Sequence, residues 1–144
     1  MSYMMRLARV PVETLCTEVA GDHEQLGLVV DLSESGLRLQ RPLRTARRGS
    51  PIIQLEFGLP GDDEIVWAQG EICFDQLWRG EGAPVRTSGI RILSAAQRHL
   101  RRIADWVVHA REERRLLDQE LEAERIRAHA PAGWALRHAS HWRG

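Results

Sequence analysis

Asp31-Leu32-Ser33-Glu34-Ser35-Gly36 is a short polar turn between two strand-like segments. Residues 26–32 are rich in branched apolar side chains, and residues 36–40 alternate apolar and polar side chains. This pattern predicts a β-hairpin. At its turn, Asp31 can accept two hydrogen bonds, Ser33 can donate or accept, and Gly36 can adopt a positive φ and leave room for a ligand. The same residue types are also typical of a purely structural turn.

Two arginines lie just before the first strand-like segment, at Arg6 and Arg9. A guanidinium group is a planar fork that binds phosphate oxygens through two hydrogen bonds and stacks on aromatic rings. Together with the polar turn, these arginines indicate a site for a planar molecule that carries phosphate.

Strand patterns continue on both sides of the hairpin. Residues 10–19, 51–57, 64–76 and 85–93 are apolar or alternating segments separated by turn residues, and Gly70 marks a bend or bulge within the third of them. With the two strands of the hairpin, this makes six short strands. Their spacing is typical of a small barrel or sandwich.

The periodicity changes at Ser94, which we predict to be a helix N-cap. Leu100, Ile103, Val107 and Ala110 then recur at intervals of three and four residues, as on one side of an α-helix. We expect this apolar side to close one end of the barrel.

The helical pattern persists through a segment that begins at Arg111 and ends at Ala128. Leu117 and Leu121 continue the stripe of Ala110, but charged residues interrupt it, so the pattern falls short of a coiled coil. The segment fits a solvated extension or, alternatively, a helix that binds a partner protein or forms a homodimer.

Composition limits the remaining possibilities. The chain has 144 residues, 43% of them hydrophobic, which suits one domain with an appendage. We place the domain at residues 1–108 and the helical extension with its polar tail at residues 109–144. The formal net charge is zero, so we expect no nucleic-acid partner. With no apolar run of membrane-spanning length and no secretory signal, we expect no membrane insertion and a cytoplasmic location.

Other candidate sites are weaker. Cys16 and Cys73 lie in strand-like segments without metal-ligand spacing, so we predict reduced, packed thiols. His129, His138 and His141 have no thiol or acidic partner nearby in the sequence, and we predict no metal site. The spacing of residues indicates neither a nucleophile with a histidine base nor a phosphate-binding loop. We therefore expect neither a catalytic residue nor a cofactor.

The layout as a whole resembles the PilZ domain family over residues 5–108. The resemblance is carried by five features: Arg9 with the strand after it, residues 31–39 with the polar turn, the strand after Gly49, the strand around Trp67, and Gly89 before the helix. It implies a mainly β fold, a six-stranded antiparallel barrel followed by a long C-terminal α-helix. It also implies a receptor for cyclic di-GMP without catalytic residues.

The resemblance assigns the ligand contacts as well. It implies that the loop with Arg6 and Arg9 folds over cyclic di-GMP, that Asp31 and Ser33 contact a guanine, and that Gly36 supports the turn. Because little chain precedes this loop, we expect the signal to pass to a separate protein through the helix between Arg111 and Ala128.

One position departs from the family pattern. The PilZ loop carries two arginines separated by three residues, and aligning Arg9 as the second places Met5 where the first belongs. Arg6 lies one position late. This departure favours an alternative, a degenerate PilZ-like adaptor that binds no nucleotide and acts through protein contacts in pilus, motility or secretion machinery.

Overall fold

The computed structural model describes residues 9–42, 50–78 and 82–130, and of Trp78 the backbone alone. Its elements in chain order are β1 (Val10–Ala20), β2 (His23–Leu32), β3 (Gly36–Pro42), β4 (Ile52–Gly58), β5 (Ile65–Trp78), β6 (Val85–Ala95) and α1 (Gln97–His129). Within these ranges, no helix has the length and apolar character needed to cross a membrane.

The six strands close into a barrel in the order β1-β2-β3-β6-β5-β4, and every neighbouring pair is antiparallel. Closure pairs the strand edges that an open sheet would leave exposed. The predicted fold, a six-stranded antiparallel barrel followed by a long C-terminal helix, is confirmed.

Alternation along the strands fills the barrel interior. Leu39 and Ile90 are fully buried, whereas Arg38 and Gln40, which flank Leu39, lie on the outer surface. The apolar strand residues that are at most 1% exposed are Cys16, Val29, Leu32, Leu39, Leu55, Phe57, Val66 and Ile90. Gly70 lies at a register shift in β5, and a Cβ built there would be only 2.5 Å from Ile90 Cγ2. The predicted irregularity at Gly70 is therefore present, and close packing explains the absent side chain.

The helix begins later than the sequence pattern indicated. Ser94 belongs to β6, where it pairs with Gln69 of β5, and strand pairing continues to Ala95. Helix α1 starts at Gln97, and the Ala96 carbonyl accepts hydrogen bonds from the N–H groups of His99 and Leu100. The predicted N-cap at Ser94 is wrong because pairing with β5 holds this residue in the sheet.

The first turns of α1 are held to the barrel by apolar and polar contacts. Ile103 and Val107 are fully buried. His99 Nδ1 accepts a hydrogen bond of 3.1 Å from the Trp67 N–H. Trp106 Nε1 donates to the Pro60 carbonyl at 2.9 Å, and Arg102 donates to Asp62 in the turn between β4 and β5.

Contacts divide the chain into two compact units, Met1–Val108 and His109–Gly144. In the second unit, α1 continues to His129 with nearly every described side chain exposed. Ion pairs three residues apart, Arg115 with Glu112 and Arg125 with Glu122, support the helix from its own surface.

A buried network of charged and polar groups crosses the barrel interior. Arg41 Nε lies 3.3 Å from Glu18 Oε2, and Arg41 Nη2 donates to Ser88 Oγ at 2.6 Å. Ser88 Oγ donates to Asp75 Oδ1 at 3.1 Å, and Arg86 Nη2 donates to Asp75 Oδ2 at 2.6 Å. The Glu18 and Arg41 side chains are only 7% and 3% exposed. Two carboxylates are thus balanced by two guanidinium groups inside the barrel.

The Glu18 carboxyl should make stability depend on pH. Burial raises the pKa of Glu18, the Arg41 charge lowers it and the Asp75 charge raises it, with a net increase above the ordinary value of 4.5. Its stabilising contribution is therefore complete below pH 4.5 and is lost as pH rises through the pKa of the folded protein. We expect the stability of the native protein relative to Glu18→Gln to fall between pH 4.5 and neutral pH, measured by urea unfolding. A constant difference over this interval would contradict the assignment.

Candidate ligand-binding site

A bulge in the hairpin sets the direction of Asp31. The register between β2 and β3 shifts between Val29 and Asp31, so that Val30 is the extra residue. Strict alternation would place Asp31 on the same face as buried Val29. The bulge instead places Asp31 opposite Arg38 on the outer surface and Leu32 opposite Leu37 in the core.

Asp31 lies between two guanidinium groups. Its Oδ1 atom is 4.0 Å from Arg9 Nε, and its Oδ2 atom is 3.4 Å from Arg38 Nε. Burial raises the pKa of Asp31, and the charges of Arg9 and Arg38 oppose this increase. Among the described residues, neither Asp31 Oδ1 nor Arg38 Nε has a hydrogen-bond partner, although both atoms are buried. Since buried polar atoms are normally paired, this cluster offers a ligand both an acceptor and a donor.

Ser33 holds the turn together. Its hydroxyl accepts hydrogen bonds from the N–H groups of Ser35 at 3.2 Å and Gly36 at 3.0 Å, and can donate to the Gly36 carbonyl at 3.1 Å. The Ser33 N–H also donates to the Gly36 carbonyl at 2.8 Å. Ser33 is fully buried. Its hydroxyl is thus engaged within the turn, while its predicted contact with a guanine stays a prediction.

Replacing Ser33 with alanine should loosen the turn. The change leaves the Gly36 N–H without its side-chain acceptor, which for a buried donor costs about 1–3 kcal/mol. We expect the free energy of unfolding in urea to fall by about that amount. The control is Ser35→Ala, which alters an exposed neighbour and should change the free energy of unfolding little. Equal midpoints for Ser33→Ala and the native protein would contradict this role.

Gly36 lies where the turn joins β3. Among the described residues, positive φ angles occur at Gly21, Gly61 and Gly82, so Gly36 does not use the left-handed region. It is buried at the start of β3, where it pairs with Arg91 of β6. The adjacent Ser35 carbonyl accepts from the Ile92 N–H at 2.9 Å. Gly36 therefore does not use the positive φ that is open to a glycine, because strand pairing already begins at this residue.

The structure brings Arg9 and Asp31 together at the hairpin turn that Ser33 and Gly36 form. Arg6 lies outside the described residues, as does Met5. Arg38 was missed as a candidate, although a signal for it exists in the sequence. The alternation Leu37, Arg38, Leu39 places the arginine on the outer face, and pairing across a hairpin places it beside Asp31.

Of the weaker candidates, the structure describes Cys16, Cys73 and His129. Burial raises the pKa of the Cys16 thiol to about 12, and the Glu18 charge adds to the increase, which makes Cys16 a poor nucleophile. Cys73 is exposed, so the prediction that both thiols are packed is wrong for this residue. In the part of the chain that the structure describes, no cluster of three metal-ligating side chains occurs. His138 and His141 lie outside that part.

These features define a small antiparallel β-barrel module with an arginine-flanked hairpin turn. The model of the PilZ domain family matches residues 6–109. Because the match covers well over half of the sequence, the chain belongs to the PilZ domain family. A comparison with curated protein sequences found no significant match.

Solved structures share the fold. The inhibitor of motility MotI/DgrA of Bacillus subtilis matches with a TM-score of 0.64 and 10% identity, covering 75% of this chain and 51% of that one. The PilZ domain of Escherichia coli YcgR with c-di-GMP matches with a TM-score of 0.56 and 16% identity, covering 76% and 94%. Borreliella burgdorferi PlzA in complex with c-di-GMP matches with a TM-score of 0.55 and 12% identity, covering 85% and 57%. This chain therefore spans only about half the length of MotI/DgrA.

Proposed function

We propose that this protein is a non-enzymatic receptor for cyclic di-GMP that relays the second-messenger signal to a partner protein in the cytoplasm. The observation that carries the proposal is Asp31 held between Arg9 and Arg38 at the hairpin turn of a PilZ barrel. Two structures that share this fold, YcgR and PlzA, contain c-di-GMP. Membership of the PilZ family and these neighbours support a receptor of this class.

Each proposed contact follows from the chemistry of its side chain. The Asp31 carboxylate accepts hydrogen bonds from the donor edge of a guanine, and Arg9, with Arg6 from the preceding loop, binds phosphate oxygens. Ser33 and Gly36 hold the turn so that Asp31 is positioned before the ligand arrives. Because the Asp31 side chain is already ordered, ligand binding loses less conformational entropy.

A thermal-stability measurement tests ligand binding. A ligand that binds only the folded protein stabilises it by about 2.7 kcal/mol when present at 100 times its Kd. We expect Tm to rise with cyclic di-GMP concentration in the native protein and to rise much less in Asp31→Ala. A Tm that does not respond to cyclic di-GMP would contradict the receptor function.

The helix from Arg111 to Ala128 is the proposed output surface. Its large apolar side chains are about half exposed, namely Leu116, Leu117, Leu121 and Ile126. Leu117 and Leu121 lie four residues apart and therefore share one side of the helix. Exposed leucines in a charged helix suit a protein partner, either a second copy of the chain or another protein. Ligand can regulate this contact only if its affinity differs between the partner-bound and the free protein.

Deleting residues 111–144 should abolish partner capture and any self-association. A sharper variant, Leu117→Glu with Leu121→Glu, should have the same effect because it places charges on the proposed contact side. The control is Arg125→Ala, which changes an exposed ion pair on the same helix. Light scattering with and without cyclic di-GMP measures self-association. Unchanged capture by the truncated protein would contradict the helix assignment.

A second candidate function rests on Met5. If the arginine missing at this position is essential for binding, the protein is a PilZ-like adaptor that works in pilus, motility or secretion machinery without nucleotide. The same helix would then carry the function constitutively. Cyclic di-GMP would leave partner capture unchanged, whereas the receptor function predicts that it alters capture.

A further inference from the structure

A row of residues crosses the outer face of the barrel from the hairpin turn. Arg38 of β3 is paired with Asp31 of β2 on one side and with Gly89 of β6 on the other. Gly89 is in turn paired with Phe74 of β5. Adjacent strands are about 4.8 Å apart. The backbones at Arg38 and Phe74 are therefore roughly 10 Å apart, with only a glycine between them.

A second row runs beside the first. Gln40 of β3, Thr87 of β6 and Gln76 of β5 are opposite one another. Arg38 and Phe74 of the first row line a recess of about 450 Å³ together with the whole second row, Val30 and Leu77. This volume lies within the size range of small-molecule sites. The recess is continuous with the proposed site because Arg38 belongs to both.

Gly89 gives the recess its shape. A Cβ built on this residue would overlap the Phe74 ring, so the ring occupies the space that a side chain at position 89 would fill. The ring thus extends over Gly89 towards Arg38. An aromatic ring fixed in this way can stack on a nucleobase at little cost in conformational freedom.

Arg38 lies at the boundary between Asp31 and the recess. Its Nε atom is buried without a hydrogen bond to any described residue, although Asp31 Oδ2 is 3.4 Å away. The side chain is nevertheless 44% exposed, so a ligand can reach the guanidinium group. A ligand phosphate would then accept charge-assisted hydrogen bonds from this group.

We infer that this recess is a second subsite for the cyclic dinucleotide, in which Arg38 binds a phosphate and Phe74 stacks on a guanine. The inference rests on the proposed receptor function. Cyclic di-GMP has two guanines and two phosphates. In the proposed receptor site, Asp31 binds one guanine and Arg9 binds one phosphate, which leaves one of each for the recess. The amides of Gln40 and Gln76 provide donors and acceptors for the edge of the second base.

Calorimetric titration of the full chain with cyclic di-GMP tests the subsite. We expect Arg38→Ala to weaken binding about 10- to 150-fold and to reduce the salt dependence of the affinity, since a phosphate contact is lost. Arg38→Lys should recover part of the affinity. Phe74→Leu should weaken binding about 5- to 150-fold, while Phe74→Tyr should retain it.

The control is Arg115→Ala, which removes an exposed arginine of α1 that is paired with Glu112 and should leave affinity unchanged. Unaltered Tm values in the variants without ligand separate lost contacts from lost folding. Native-like affinity in either Arg38→Ala or Phe74→Leu would overturn the subsite, while the receptor function would stand if Arg9→Ala still weakened binding. No binding by the native protein would overturn the receptor function and the subsite with it.

Discussion

Arg41→Ala should destabilise the protein by about 3–5 kcal/mol, the cost expected when one partner of a buried ion pair is removed. Glu18 would be left inside the barrel without its counter-charge, and Ser88 would lose the donor 2.6 Å from its hydroxyl. This effect is a large fraction of the stability of a small domain. Urea unfolding followed by circular dichroism measures it directly.

Two comparisons make this prediction specific. Arg91→Ala breaks an exposed ion pair with Glu71 and should change stability by less than about 1 kcal/mol. A double replacement, Glu18→Leu with Arg41→Met, removes both charges and should recover much of the lost stability, because apolar residues often replace a buried pair without penalty. A loss for Arg41→Ala as small as that for Arg91→Ala would contradict the network.

Arg9→Ala should weaken cyclic di-GMP binding about 10- to 150-fold, the effect of losing a charge-assisted contact of roughly 1.5–3 kcal/mol. Arg9 is the described arginine of the N-terminal loop, and its Nε atom lies 4.0 Å from Asp31 Oδ1. Its loss would remove a phosphate contact and a positive charge that favours the ionised form of Asp31.

Titration calorimetry measures this loss against a matched arginine variant. Arg125 forms an exposed ion pair with Glu122 in the helical extension, so Arg125→Ala should bind cyclic di-GMP as the native protein does. Equal affinities for Arg9→Ala and Arg125→Ala would show that Arg9 takes no part in binding.

Local patterns predicted most of the fold. Alternation in residues 36–40 and in the other segments predicted six strands, and all six form strands in the structure. The pattern is clear because one face of every strand in a closed barrel is buried. The hairpin turn from Asp31 to Gly36 was likewise evident from its residue types. The irregularity at Gly70 followed from a glycine inside a strand pattern.

The features that the sequence did not reveal depend on contacts between distant residues. The bulge at Val30 depends on pairing with β3, and pairing between β6 and β5 moves the start of the helix beyond Ser94. Arg41 and Glu18, 23 positions apart in the sequence, meet only when the barrel closes. From sequence periodicity alone, such charged residues are expected to be solvated, because the pattern of one strand contains no information about a counter-charge on another strand.

The row from Asp31 to Phe74 shows the same limit at the candidate site. Arg38 and Phe74 are unremarkable in the sequence, and only the register of four strands places them in one row with Asp31 and Gly89. Once the hairpin is assigned, however, pairing across it is enough to place Arg38 next to Asp31. Outward positions beside a polar turn therefore merit inspection even before a structure is known.

Titration of the purified native protein with cyclic di-GMP, alongside Arg9→Ala and Met5→Arg, tests the receptor function most directly. A receptor should show saturable binding in the native protein, weaker binding in Arg9→Ala and stronger binding in Met5→Arg, which restores the arginine spacing of the family. No binding by the native protein, with binding gained in Met5→Arg, would contradict the receptor function and identify a PilZ scaffold that works as an adaptor without nucleotide.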